Sequence, residues 1–278
     1  MTGAMMIATK TLDYGAIRER QKAAWTAGDF GQIAQFTQTN AEEFVRRCAI
    51  KPGMRVLDVA CGTGNTALPA ARADGQVTAL DFAPNLLEQA RARAAREGLT
   101  IRFEESDMEA LPFADASFDL VMSTFGVMFA PRPDQVAAEL IRVCRPGGQI
   151  VLASWTAEGF IGQIHHIMAK YSPTPPAMVS PLQWGDPDVV AKRLHAGVAA
   201  FRAEKMMAQL RYPFSIAETI RFHRTYLGPA LLTFASLSAS QRETVEEDLT
   251  ALYQRHNLAR DGTVWVEAEY LEFSATRA

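Results

Sequence analysis

The sequence predicts an α/β protein: a doubly wound, mostly parallel seven-stranded sheet with N-terminal helices and a helical lid. Two observations carry this. Between residues 55 and 155, short apolar strands alternate with helical stretches of about a dozen residues, the pattern of βαβ units. The first strand also runs into a loop with two glycines, Gly62 and Gly64, before a helix begins, as ligand loops of open α/β sheets do.

The elements follow in order. Residues 13–50 read as helical, with Ile17, Trp25, Ile33, Phe36, Phe44 and Val45 as apolar contacts and Gly28-Asp29 as an interruption. Lys51-Pro52-Gly53 is a turn, and Arg55 to Ala60 a buried strand. A helix starts near Asn65 or Thr66, and Pro69 fits it only within the first turn. Gln76 to Asp81 is a strand, Pro84 to Glu97 a helix ended by Gly98, Thr100 to Glu105 a third strand and Phe118 to Ser123 a fourth. A helix over Asp134 to Cys144 stops at Arg145-Pro146-Gly147-Gly148, before a fifth strand from Gln149 to Trp155.

Beyond residue 155 the alternation weakens. Residues 172–187, with Pro173, Pro175, Pro176, Pro181 and Pro187, read as a loop. Asp188 to Phe201 reads as a helix, Lys205 to Phe214 as a strand, and 216–235 and 239–256 as helices. Gly262 is a turn and Val264 to Ala275 alternates as a strand does. The last two strands are expected to form an antiparallel edge, with the helices between them as the lid. The organisation is one large domain with an elaboration: a helical cap over 1–50, a ligand-binding core over 51–155, and a lid with the last strands over 156–278.

Composition narrows the function. The 278 residues are 48% hydrophobic and 21% charged, as in ordinary globular proteins. Lys and Arg total 28 against 31 Asp and Glu, a net charge of −3, which argues against a strongly basic nucleic-acid binder. Cys48, Cys61 and Cys144 are odd in number and lack metal-ligand spacing, so a disulfide framework and a metal site are both poor fits. No stretch approaches the roughly 20 apolar residues of a membrane span. Met1 to Asp13 does not read as a signal peptide, and the expected location is cytoplasmic.

The chemistry gathers at the strand ends. Gly62-Thr63-Gly64-Asn65-Thr66-Ala67 fits the weak dinucleotide pattern G-x-G-x-x-A, and a glycine loop with no ligand is the plainer alternative. Asp58, just before the loop, would repel a pyrophosphate and suits a ligand carrying positive charge or amine donors. Asp81 ends the second strand, where a carboxylate can take both ribose hydroxyls or simply cap the next helix. Asp107 could accept from an adenine amino group or serve as a loop cap. Phe82 could lie on an adenine face or pack in the core.

Five segments carry a resemblance: Val56 to Asn65, Ala79 to Asn85, Asp107 to Phe113, Asp115 to Val121 and Arg142 to Ile150. In this order and spacing they resemble the class I S-adenosylmethionine-dependent methyltransferases, in the branch that includes the ubiquinone and menaquinone biosynthesis C-methyltransferases. The resemblance covers about residues 50–155 and implies a Rossmann-like methyltransferase fold with S-adenosyl-L-methionine as cofactor and S-adenosyl-L-homocysteine as product. It implies that Asp58, Ala60, Gly62 and Gly64 surround the methionine part of the cofactor. Asp81 would bind the ribose, Phe82 would flank the adenine, and Asp107 with the Met108 backbone would read the amino edge. Ser123 would face the reactive centre, and Trp25 to Phe30 would fold over the methionine end or cap the sheet.

The expected partner is a small-molecule methyl acceptor: a phenol, a quinone precursor or a specialised metabolite, with a lipid headgroup also open. His165, His166 and His223 are candidate bases, the first two favoured by their place after the fifth strand. Tyr171, Trp184, Tyr226, Phe125 and Met128 are candidate pocket walls, with core packing as the plainer role. Residues 123–126 are Ser-Thr-Phe-Gly, unlike the Asn- or Asp-Pro-Pro-Tyr of amino-methylating enzymes. Arg91, Arg93 and Arg96 read as a solvated helix face. Homodimerisation through lid or edge elements is open to the chain, without a signature for it. The competing functions are an NAD(P)-dependent oxidoreductase, weakened by Asp58, and a non-catalytic binding protein on the same fold.

Overall fold

The computed structural model describes residues 12–171 and 178–278. The leader assessment of Met1 to Asp13 falls almost wholly outside these residues, as do Pro173, Pro175 and Pro176 of the expected loop. The elements are α1 Tyr14–Thr26, α2 Phe30–Ala34, α3 Gln38–Arg47, β1 Arg55–Val59, α4 Ala67–Arg72, β2 Gln76–Asp81 and α5 Pro84–Arg96. There follow β3 Arg102–Glu105, β4 Phe118–Thr124, α6 Pro133–Val143, β5 Cys144–Trp155, α7 Phe160–Ala169 and α8 Pro187–Leu194. The chain closes with β6 Val198–Tyr212, α9 Ile216–Tyr226, α10 Gly228–Ser236, α11 Ala239–His256 and β7 Val264–Arg277.

The strands form one seven-stranded sheet in the order β3-β2-β1-β4-β5-β7-β6. β1 to β5 run parallel, while β7 is antiparallel to both β5 and β6. Strand order reverses between β1 and β4, the place where open α/β sheets hold ligands. β1 and β4 are buried on both faces, which their unbroken apolar runs require. Pro69 is the third residue of α4 and so sits in its first turn, with Thr66 at the N-cap. Ser215 with Glu218, and Ser238 with Gln241, form capping boxes that start α9 and α11.

Four expectations need correction. The helix expected over Asp188 to Phe201 ends at Leu194, and Val198 to Phe201 open β6, which begins well before Lys205. These residues tolerate either state, but β7 runs to Arg277 and its backbone groups need a partner. The stop at Arg145 to Gly148 is an irregularity inside β5: Phe118 pairs with Cys144 and Leu120 with Gln149. The helix expected over 216–235 is two helices: Pro229 has no N–H to continue the first and sits in the opening turn of the second, with Leu227 extended between them. Finally, the sequence pattern missed α7, which carries His165 and His166.

Candidate active site

Two non-glycine residues in left-handed backbone geometry mark the switch point. Ala60 follows β1 with φ 56° and Phe125 follows β4 with φ 57°. Such residues cost about 1–3 kcal/mol each and persist where their surroundings hold them. Phe125 is held by its ring, stacked on Trp155 at 3.7 Å and 2° between planes. Gly62 and Gly64 continue the turn at φ 53° and 85°, where a side chain would add strain.

The carboxylates converge on this loop. Asp81 Oδ2 accepts from the Gly62 N–H at 2.8 Å and Oδ1 accepts from the Ala83 N–H at 2.9 Å. Asp58 is fully buried and its Oδ2 accepts from the Thr66 hydroxyl at 2.6 Å. Its Oδ1 is buried with no partner among the described residues. Burial above all, with the nearby charge of Asp81, pushes the Asp58 carboxyl up to about 7. From outside, Arg93 donates to the Thr63 carbonyl at 2.8 Å and to Asn65 Oδ1 at 2.7 Å. Arg93 therefore fastens the glycine loop and does not belong to the solvated face expected for it.

Helix α1 lies across the mouth of the site. Arg18 donates to Asp107 Oδ2 at 2.5 Å, and Gln21 donates to the Phe129 carbonyl at 2.8 Å. Beneath them a recess of about 20 Å³ is lined by Arg18, Asp81, Phe82, Asp107 and Met108. Asp107 Oδ1 also accepts from the Glu109 N–H at 2.8 Å, so this carboxylate caps its loop as well. The Trp25 ring meets the rings of Phe30 and Phe129 at 5.4 and 5.3 Å. The Phe30 ring in turn covers Gly62. Ser123 is brought to the same place, but its hydroxyl is spent on the backbone: it donates to the Val59 carbonyl at 2.7 Å and accepts from the Val127 N–H at 3.3 Å.

Behind Phe129 opens a mostly apolar cavity of about 460 Å³ among α7, α9, α10 and α11. Ile164, Met168, Ile220, Leu249 and Tyr253 line it together with His165. The His165 ring lies 5.8 Å from the Phe129 ring, so it stands on the cavity wall beside Phe129. Burial, with the His166 charge next to it, pushes His165 down to about 4. His166 is exposed on the rim. His223 also borders the cavity, but both ring nitrogens are engaged, Nδ1 with the Thr219 carbonyl at 2.9 Å and Nε2 with the Tyr212 hydroxyl at 3.2 Å.

None of the five expected wall residues lines this cavity. Trp184 and Met128 are core residues, Phe125 packs on Trp155, and Tyr226 packs against Phe222. The lining residues lie on helices whose apolar faces look, in sequence, like any core-facing face. No cluster among the described residues could hold a metal ion, and no helix among them is long and apolar enough to cross a membrane.

Comparison with known proteins agrees with this geometry. Residues 56–148 match the family model for a methyltransferase domain. The chain is 35% identical over 276 residues to the uncharacterized protein Rv1405c of Mycobacterium tuberculosis, covering 98% of this chain and 100% of that protein. A demethylmenaquinone methyltransferase of Renibacterium salmoninarum is 41% identical over 120 residues, which are 43% of this chain and 48% of that one. The crystal structure of a putative methyltransferase from Bacillus halodurans matches with a TM-score of 0.59 at 20% identity, over 86% of this chain and 98% of that chain. The chain belongs to the class I S-adenosylmethionine-dependent methyltransferases. Within that class its own family is the one to which Rv1405c belongs, matched along nearly the whole chain.

Proposed function

We propose that this methyltransferase acts on a small, uncharged organic acceptor: a phenol, a quinone precursor or a specialised metabolite. The observation that carries the proposal is the apolar cavity of about 460 Å³ beside His165, a size and character typical of small-molecule sites. The cation on its wall, Arg224, is already neutralised by Glu246 at 2.5 Å, which disfavours an anionic acceptor. The three cysteines are free thiols, in keeping with a reducing, cytoplasmic setting.

The loop side suits the cofactor. The unpartnered Asp58 Oδ1 fits a cationic ammonium, which would relieve a buried, unsatisfied carboxylate. On this assignment Asp58, Ala60, Gly62 and Gly64 surround the methionine part and Asp81 takes the ribose hydroxyls. Phe82 flanks the adenine, and Asp107 with the Met108 backbone reads its amino edge. Ser123 shapes the floor through its backbone rather than its hydroxyl. When bound, S-adenosylmethionine supplies a methyl group on a sulfonium, already activated for transfer.

The chain's own contribution is positioning and the exclusion of water. Trp25, Phe30 and Phe129 pack beside the loop, and Phe129 stands between it and His165 of the cavity wall. Holding two reactants in line can be worth about 7–11 kcal/mol. His165, held neutral by burial, orients an acceptor hydroxyl by hydrogen bonding and is a poor final sink for its proton. His166, the other candidate, stands exposed on the rim of the same cavity.

The test is transfer of labelled methyl groups to a panel of phenolic and quinone-like acceptors. His165→Ala should lower turnover by up to about tenfold, the loss of one orienting hydrogen bond, while S-adenosylhomocysteine affinity holds. Full activity would remove His165 from the mechanism. Tight cofactor binding with no acceptor turned over, across a broad panel, would favour the non-catalytic alternative.

A further inference from the structure

We propose that the chain forms a homodimer in which β6 pairs antiparallel with β6 of a second copy, about a two-fold axis at Ala203. β6 is the edge of the sheet and pairs only with β7 over its 15 residues. Its outer edge is treated differently at its two ends. Near the C-terminal end, the Gln209 N–H donates to Asn40 Oδ1 at 3.1 Å and Asn40 Nδ2 donates to the Gln209 carbonyl at 3.3 Å. The side chain of Asn40, carried on α3 and buried, thus takes the place of a neighbouring strand.

This contact also shows which backbone groups face outward. Gln209 points its N–H and C=O away from β7, and an antiparallel ladder alternates residue by residue. Phe201, Ala203, Lys205 and Met207 therefore point theirs outward too. The ladder is regular over this stretch, its one irregularity falling between Val198 and Ala200. No side chain among the described residues seals these groups as Asn40 seals Gln209. The same stretch carries Phe201 at 54% exposure and Met207 at 53%, the two most exposed large apolar side chains among the described residues. An open edge with apolar side chains is a template for another strand.

The charges select a second copy as the occupant, and select its register. Centring the pair on Arg202, Glu204 or Lys205 sets like charges directly opposite, which destabilises a sheet pair. Centring it on Phe201 pairs no charges. Centring it on Ala203 sets Arg202, which already pairs with Glu204 of its own strand, opposite Glu204 of the second copy as well, twice by symmetry, and Phe201 opposite Lys205. The two Ala203 residues then exchange their outward N–H and C=O groups at the axis.

Sedimentation equilibrium of the full chain tests this, with four variants beside the parent. The parent should be a dimer at micromolar concentration. Ala203→Pro removes the outward N–H at the axis and no bond to β7, so it should give a monomer with unchanged S-adenosylhomocysteine affinity. Arg202→Glu and Glu204→Arg should each weaken the dimer about tenfold or more, and the double exchange should restore it. A parent that stays monomeric would overturn the proposal and make Arg202, Glu204 and Lys205 guards against edge pairing. A dimer indifferent to Ala203→Pro and to the charge exchange would also overturn it, by placing the interface elsewhere.

Discussion

The Arg18 guanidinium reaches across the recess to the Asp107 carboxylate, 2.5 Å from Oδ2, and this pair ties α1 over the end of the site assigned to adenine. Lys22 adds a bond to Glu105 at 2.8 Å one turn further along. The recess left beneath α1, about 20 Å³, holds a water but not an adenosine. With the adenine placed as proposed, cofactor entry would call for α1 to move, and for Asp107 to exchange Arg18 for its ligand or share itself between them.

Arg18→Met keeps the side-chain stem and removes the charge. The pair is partly exposed, so its loss should matter by up to about 1 kcal/mol, or roughly fivefold. Association and dissociation of S-adenosylhomocysteine should both quicken within that range, as read by stopped-flow fluorescence of Trp25. Unchanged rates would mean that Arg18 does not gate entry.

Asp81→Asn should be costlier, because one carboxylate holds both the Gly62 and Ala83 amides. The amide side chain must turn its NH₂ toward one of those N–H groups. Affinity for S-adenosylhomocysteine should fall by about 1.5–3 kcal/mol, with a lower melting temperature as the loop loosens. Calorimetry that finds equal affinity would detach Asp81 from the ribose.

Asp58 makes binding depend on pH. Its folded value of about 7 lies above the ordinary carboxyl value of 3.8, so the folded chain binds more protons between those limits. Its contribution to stability is fully present below the lower value and is lost as pH rises through about 7. An ammonium beside Asp58 Oδ1 favours the ionised form, so cofactor binding should release a proton and tighten as pH rises from 6 toward 8. Calorimetry in two buffers of different ionisation heat reads that proton. Asp58→Asn should abolish the release, whereas release persisting in the variant would assign it to another group.

Gly228→Ala tests how the N-terminal cap is joined to the lid. A Cβ on Gly228 would fall on the Ala24 carbonyl oxygen, and the Asp29 N–H donates to the Tyr226 carbonyl at 3.0 Å beside it. The variant should lose about 1–3 kcal/mol of stability by overpacking, seen as a lower melting temperature. Its cofactor affinity should fall too, because α1 must shift. A stable variant with normal affinity would show that cap and lid adjust independently.

These residues also show what the sequence could and could not convey. β1, its glycine loop and Asp81 were legible because a buried strand followed by Gly62 and Gly64 has a local signature. The sheet edge is legible in outline, but Val198 to Phe201 read as helix, because only β7, some 70 residues on, makes them strand. The cavity lining was illegible: Ile164, Ile220 and Leu249 face a void, yet their spacing is that of residues facing a core. Arg93 and Asn40 act on distant backbone, Arg93 on Thr63 and Asn40 on Gln209, and no local pattern announces such contacts.

The central claim is tested most directly by calorimetric titration of the purified chain with S-adenosylmethionine, S-adenosylhomocysteine, NAD and NADP. The structure predicts micromolar binding of the two adenosyl ligands and none of the nicotinamide pair, whose pyrophosphate would meet Asp58. Binding of NAD or NADP without the adenosyl ligands would contradict the assignment of the glycine loop and of every residue placed around it.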